Sequence, residues 1–352
     1  MRILTCLTAS LLGAAIILVH PPAASAEGDP NWQSCVSTST VLNEKVTACS
    51  AVIEARAETG ERIAAAYCFR GHARTEKREL DTALSDLNES IRLDPNSACA
   101  LTNRGRVYAF KRDLDRAIAD YDEAIRIDPA FALAYNNRGD AFFNKGDLDR
   151  ALADFSAAIK INRSFATAYG NRGYLYFRKR DMEHALADYN MQIKLQPDVL
   201  AYINRGNVYR ATEQLDRAAA DYGEAARIAP TDARGWRNRA IIRLYRDDFK
   251  GGLADYDKAL QYDPADAYSW SNRALAKMGL GDKKGAIADF RKALEINPGL
   301  STAREGLQKL GAAIAISRLR GQCSTTLSAP PHRFRHVFGL RGHRRGCVAG
   351  SW

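Results

Sequence analysis

From about residue 64 to residue 300 the apolar and polar positions return with a fixed period. Asn-Arg-Gly stands at 103–105, 137–139, 171–173 and 204–206, and Asn-Arg-Ala at 238–240 and 272–274. Phe69-Arg70-Gly71 precedes them in the same phase, and the intervals are 34, 34, 34, 33, 34 and 34 residues. Each period has a large residue four places before its small one: Tyr67, Leu101, Tyr135, Tyr169, Tyr202, Trp236 and Trp270. A second small residue follows later: Ala83, Ala117, Ala151, Ala185, Ala218, Gly252 and Ala286. A period of 34 with helical spacing predicts a helix–turn–helix unit in series, because one such pair cannot bury its apolar face alone.

The small residues have a mechanical purpose. Gly71, Gly105, Gly139, Gly173 and Gly206 on the first helices, with Ala117 and Ala151 on the second, let two helices approach at the short end of the ~8–10 Å range. Tyr121 fills the space beside them, and Asp128-Pro129 ends the second helix, since a residue before proline is driven out of the α region. In residues 98–131 the set Leu101, Gly105, Tyr108, Ala117, Tyr121, Ala124 and Pro129 resembles the signature of tetratricopeptide repeats (TPRs). The resemblance covers seven units, 64–97, 98–131, 132–165, 166–198, 199–232, 233–266 and 267–300. It implies an all-α, right-handed superhelical solenoid that binds protein or peptide. Departures are Arg74, Arg243 and Lys277 in the slot of Tyr108, Arg163 for the closing proline, and Ala240 and Ala274 for glycine. They are expected to make the superhelix locally irregular. Residues 27–63 are expected to form an N-terminal helical segment with a degenerate repeat, and 301–319 a polar capping helix.

Two polar features recur in every unit. Arg70, Arg104, Arg138, Arg172, Arg205, Arg239 and Arg273 precede the small residue, and Asp86, Asp120, Asp154, Asp188, Asp221, Asp255 and Asp289 lie on the second helices. These are expected to pair across the helix–helix contact as a structural ladder. Asn103, Asn137, Asn171, Asn204, Asn238 and Asn272 share one position on the first helices, which line the concave groove in TPR arrays. An amide offers a donor and an acceptor, so it can hold both polar groups of a peptide unit. The row resembles the asparagine ladders with which TPR superhelices grip extended polypeptide; stabilisation of the stack is the other reading. Neighbouring groove positions are Arg106, Phe143, Phe177, Arg210 and Arg237, with a basic patch towards 234–237 suited to an acidic or carboxylate-ended peptide.

Charge changes this picture only at the ends. The chain has 352 residues and a formal net charge of +10, with 46% apolar and 26% charged residues. Residues 311–352 hold seven arginines and no acid, and residues 1–26 hold Arg2 alone, so residues 27–310 carry a net of only +2. A basic stripe for nucleic acid is therefore not expected in the array. Arg2, the apolar run Ile3–Val19 and Ala24-Ser25-Ala26 read as a signal peptide, 1–26, cleaved after Ala26. This implies a periplasmic or secreted protein without stable membrane insertion; an uncleaved N-terminal anchor is the alternative. Six cysteines then remain, allowing 15 connectivities; a bridge between Cys35 and Cys49 is the expected pair, with two buried thiols as the alternative.

No nucleophile elbow, metalloprotease, phosphate-loop or dinucleotide signature occurs, and the repeats leave no segment of enzyme size. Cys323, His332, His336, His343 and Cys347 fit no standard zinc spacing. The sequence thus points to a non-enzymatic scaffold that needs no cofactor or metal and binds a protein or peptide ligand through the Asn row. The alternative is a surface-binding protein whose basic tail, 320–352, attaches to anionic lipid or polymer.

Overall fold

The computed structural model describes residues 29–55 and 59–312. The segment read as a signal peptide, 1–26, and the basic tail, with its cysteines and histidines, lie outside the described residues. Those described form seventeen α-helices and no strand. They are α1 (Pro30–Val36), α2 (Leu42–Ala55), α3 (Gly60–Glu76), α4 (Leu80–Leu93), α5 (Ala98–Phe110), α6 (Leu114–Ile127), α7 (Ala132–Lys145), α8 (Leu148–Ile161) and α9 (Ala166–Arg178). There follow α10 (Met182–Leu195), α11 (Val199–Ala211), α12 (Leu215–Ile228), α13 (Ala233–Tyr245), α14 (Phe249–Tyr262), α15 (Ala267–Gly279), α16 (Lys283–Ile296) and α17 (Ser301–Lys309). The chain divides into two compact units between Glu213 and Gln214. The first contains α1–α11 and the second α12–α17, so the division falls inside the fifth repeat.

In the first unit α3–α4, α5–α6, α7–α8 and α9–α10 pack as helical hairpins, and each second helix packs on the next first helix. Helix α6 shows why. Ala117, Asp120, Tyr121 and Ala124 are its buried residues, spaced three and four apart on one stripe. Asp113 caps its N-terminus by accepting a hydrogen bond from the Arg116 N–H at 3.1 Å. Gly105 on α5 faces this stripe: a Cβ there would lie 2.7 Å from Tyr121 Cε1 and 3.0 Å from the Ala117 carbonyl oxygen. Gly71, Gly139 and Gly173 make the same approach to Leu87, Phe155 and Tyr189. Gly206 is buried in α11, and Ala117 and Ala151 are fully buried. Pro129 follows the C-cap Asp128 of α6, in the turn that leads to α7. In the second unit α13–α14 and α15–α16 repeat the hairpin, with Tyr256 and Phe290 fully buried.

The turn from first to second helix needs a left-handed residue in every repeat. Arg78, Arg112, Gly146, Arg180 and Glu213 supply it in the first unit, with φ between 60° and 84°, and Asp247 and Gly281 in the second. Only two of the seven are glycine, the residue that adopts this region without steric cost.

The ends differ from expectation in one respect. At the N-terminus, α1 and α2 are joined by a Cys35–Cys49 disulfide whose two cysteines are fully buried beside Phe69. At the C-terminus the capping helix, expected over 301–319, stops at Lys309. Gly311 takes φ 65°, and the N–H groups of Gly311 and Ala312 bond to the carbonyls of Gln308 and Leu307, a left-handed C-terminal stop. Residues 313–319 lie outside the described residues.

Candidate functional site

The recurring arginine sets the spacing on which any site on this scaffold is built. Arg138 donates from Nε and Nη2 to both oxygens of Asp154, at 2.8 and 2.7 Å, within its own repeat. Its Nη1 reaches back to Asp122 on the preceding second helix at 2.6 Å. The Tyr135 ring lies 5.5 Å from the guanidinium carbon. Arg70–Asp86, Arg104–Asp120 and Arg172–Asp188 repeat the forward fork in the first unit, and Arg239–Asp255 and Arg273–Asp289 in the second. The backward arm ends on Ser50, Asn88, Ser156, Asn190 and Asp257 for Arg70, Arg104, Arg172, Arg205 and Arg273. Arg70, Arg104, Arg138, Arg172 and Arg273 thus each tie one first helix to two second helices, whereas Arg239 meets Gly223 on the preceding one. The paired carboxylate holds the guanidiniums of Arg104, Arg138, Arg172 and Arg239 above their ordinary value.

The departures from the repeat signature belong to this ladder. Arg74 and Arg243 bring a second guanidinium to Asp86 and Asp255, at 2.7 and 2.9 Å. Lys277 brings an ammonium to Asp289 at 2.8 Å. Where the slot holds Phe142, Tyr176 or Tyr209 instead, the ring lies 5.8 or 5.9 Å from the ladder guanidinium. In these six repeats the slot supplies either a cation for the aspartate or a π-face for the ladder arginine, whereas Tyr108 takes Arg116, 4.6 Å from its ring.

Within the first unit the first helices touch one another directly, α3 with α5, α5 with α7 and α9 with α11. No contact of that extent joins successive second helices among the described residues. The array therefore curves towards the first helices, whose shared face is the concave one. Asp140 on α7 stands out among the charged residues of the first helices. Its side chain is exposed, yet the surrounding protein desolvates its carboxyl and pushes its pKa up, against the pull of Arg112.

The Asn row is not uniform along this face. Asn103 is 2% exposed and donates its amide to the sulfurs of Cys68 and Cys99 at 3.4 and 3.6 Å. Asn171 donates to Asn136 Oδ1 on the previous first helix at 3.0 Å, and Asn136 donates to Asn137 Oδ1 at 3.3 Å. Asn204 is half-buried, and none of its side-chain atoms has a hydrogen-bond partner. In the second unit Asn238 is also half-buried, whereas Asn272 is 9% exposed. Asn103 and Asn272 thus depart from the expected ligand row, because their amides are enclosed by the preceding or following helices.

The neighbouring positions divide as well. Phe143 stands edge-on to Tyr174, ring centroids 5.6 Å apart, with the Arg178 guanidinium 5.8 Å from Phe143. Phe177, in the phase of Phe143, is instead buried with Ala185, Tyr189 and Val208. Arg106 is held by Glu76 at 2.5 Å. Arg210 has no carboxylate partner among the described residues. The expected basic patch at 234–237 is neutralised, since Arg234 pairs with Asp232 at 2.6 Å and Arg237 with Asp266 at 3.1 Å. Missed in the sequence were the arginines of the tight turns, although Lys-Arg at 77–78, 111–112 and 179–180 recurs in the repeat phase. Among the described residues no helix is long and apolar enough to cross a membrane, and no group of side chains could hold a metal ion.

One buried group on this face gives a pH signature. His72 is 5% exposed, its Nδ1 has no partner, and burial lowers its pKa to about 4, helped by Arg106 and Lys45 and opposed by Glu76 and Asn103. Free histidine titrates near 6.5, so below that pH the unfolded chain takes a proton that the folded one refuses. Stability from His72 is therefore intact above about pH 6.5 and falls as pH drops towards 4. The expected loss between pH 7.5 and 5 is about 2 kcal/mol. Urea unfolding at the two pH values checks this: His72→Gln should remove most of that loss, and an unchanged slope would refute the assignment.

Tetratricopeptide-repeat models match residues 70–132, 102–164 and 136–198, and two further models of the same repeat match 199–232 and 267–300. No curated protein matches the sequence. Among solved structures, the Cut9 and Hcn1 hetero-tetramer of the APC/C includes a chain similar to this one with TM-score 0.58 and 16% identity. The match covers 76% of this chain, which spans 52% of that one. PilW, a type IV pilus biogenesis factor, is similar with TM-score 0.53 and 18% identity, over 60% of this chain and 98% of its own. So is the C-terminal part of a TPR protein from Cytophaga hutchinsonii, with TM-score 0.53 and 18% identity, over 67% of this chain and 98% of its own. At these identities the likeness shows the fold alone. Phased glycines, hairpin packing and matching repeat models agree: the chain belongs to the tetratricopeptide repeat family.

Proposed function

We propose that this protein is a non-enzymatic scaffold that takes an extended segment of a partner protein along the concave face of its first unit. The observation that carries the reading is the unused hydrogen-bonding capacity of the middle Asn residues. Asn204 has no hydrogen-bond partner at either amide end, and Asn137 and Asn171 each use one end and keep the other. An extended peptide offers an N–H and a carbonyl at each residue, which such amides can bind without reading its side chains. The paired Asn136 and Asn171 also tie α7 to α9, so stack support and ligand binding coexist in one row.

A peptide selected on the full chain from a random extended library provides the probe. Asn204→Ala and Asn137→Ala are each expected to weaken its binding by about three- to tenfold, the worth of one hydrogen bond. The melting temperature of Asn204→Ala should not move, because that amide has no partner within the protein. Unchanged affinity in both variants would contradict the reading.

The scaffold is proposed to act after export. The enclosed Cys35–Cys49 bridge supports this, since disulfides persist mainly in oxidising compartments. N-terminal sequencing of the envelope-fraction protein should begin at Glu27; an intact Met1 chain in the cytosol would refute export.

A further inference from the structure

The concave face of the first unit has a charge pattern that the fold does not explain. Arg78, Arg112, Arg178 and Arg210 stand on the first helices or the turns that end them, and none meets a carboxylate in an ion pair among the described residues. Three are exposed and Arg210 is half-buried. The lysines of the same turns behave differently: Lys111 and Lys179 pair with Asp81 and Asp149 on the preceding second helices at 2.6 and 2.8 Å. The arginines are not merely solvated ends of the chain, because aromatic rings hold two of them. Arg78 lies 4.0 Å from the Phe110 ring, and Arg178 lies over the Phe143–Tyr174 pair. A guanidinium resting on a ring keeps its N–H edge free for a carboxylate.

Backbone strain points the same way. Arg78 and Arg112 occupy left-handed positions that glycine fills more easily, as Gly146 does in the turn between them and Arg180. Inside the protein Arg78 gains only the Phe110 ring and Arg112 only the distant pull of Asp140, and neither has a carboxylate in contact among the described residues. The third repeat breaks the series twice, with Gly146 at the turn and the exposed carboxylate of Asp140 on the face. Two cationic stretches are thus separated by an acidic one.

We infer that this face receives an acidic segment of a partner protein whose two groups of carboxylates flank a neutral or basic stretch. The inference rests on the groove reading above and names the partner's chemistry. Asp140 disfavours a uniform polyanion such as nucleic acid, whose charge cannot skip a repeat. The protein's own tail, 320–352, is excluded by sign, since it carries six arginines and no acid.

The test uses the full chain and three fluorescent probes. One is a peptide of about 15 residues, extended length ~50 Å, with Asp/Glu groups at both ends and lysines between. The second has Gln in place of every acid, and the third is an oligothymidylate of similar length. The acidic-ended peptide should bind and should weaken as salt rises, because exposed ion pairs are screened. The fourfold variant Arg78→Gln/Arg112→Gln/Arg178→Gln/Arg210→Gln should bind it about tenfold less tightly. Its melting temperature should be unchanged, as these side chains hold no carboxylate in the fold. Equal binding of the Gln peptide, with no effect of the fourfold variant but a loss in Asn204→Ala, would overturn the inference and leave the groove reading standing. Oligothymidylate binding as tight as the peptide would also overturn it. Binding of neither peptide would overturn the groove reading and this inference together.

Discussion

The repeats depend on guanidiniums satisfied in several directions at once, and Arg138 shows all three. It forks onto an enclosed aspartate of its own second helix, reaches a polar group of the previous second helix, and lies against an aromatic ring one turn earlier. The ladder aspartates are 2–7% exposed, so an unmatched charge there would be severely destabilising. That requirement fixes the rotation of every first helix relative to its two neighbours. The close approach at Gly105 and the burial of Tyr121 occur in this same register. Against a hydrophobic replacement such buried ion pairs often contribute little net stability; the ladder's contribution is to make similar repeats stack in a single way.

The concave face follows from that register. With the arginine turned inward between helices, the residue before it faces the inner side and the turn residues stand at its rim. The same repeat period that builds the scaffold therefore also lines up the Asn amides and the rim arginines. Positions used by the ladder are alike in every repeat, whereas positions three and seven residues beyond the Asn vary. That variation is where a ligand can be distinguished: His72 and Glu76 enclosed at one end, Arg106 neutralised, Asp140 open, Arg178 resting on rings.

Much of this was legible in the sequence. The ladder was, because its partners lie a constant 16 residues apart, as in Arg70–Asp86 and Arg273–Asp289. The all-α repeat and the Cys35–Cys49 pair were within reach for similar reasons of spacing. The state of each Asn was not, because it depends on the residue opposite it on the preceding first helix. Cys68 and Asn136 accept from Asn103 and Asn171, two different acceptors at one repeat position. Phe143 and Phe177 share a phase but not a fate: Tyr174 stands by the first, and Asn207 occupies the matching place by the second. The basic patch at 234–237 was misread because Asp266 lies 29 residues from Arg237, outside the helical spacings that reveal pairs. Arg74, Arg243 and Lys277 looked like irregularities and are second cations for the ladder.

The claim that geometry, and not charge alone, makes the ladder work is tested most directly by Arg138→Lys. Lysine keeps the charge but has one ammonium, which cannot fork onto Asp154, reach Asp122 and lie against Tyr135 together. Urea unfolding of the variant should show a loss of about 2–3 kcal/mol, approaching that for breaking a buried pair. A variant within about 0.5 kcal/mol of the parent protein would contradict the account.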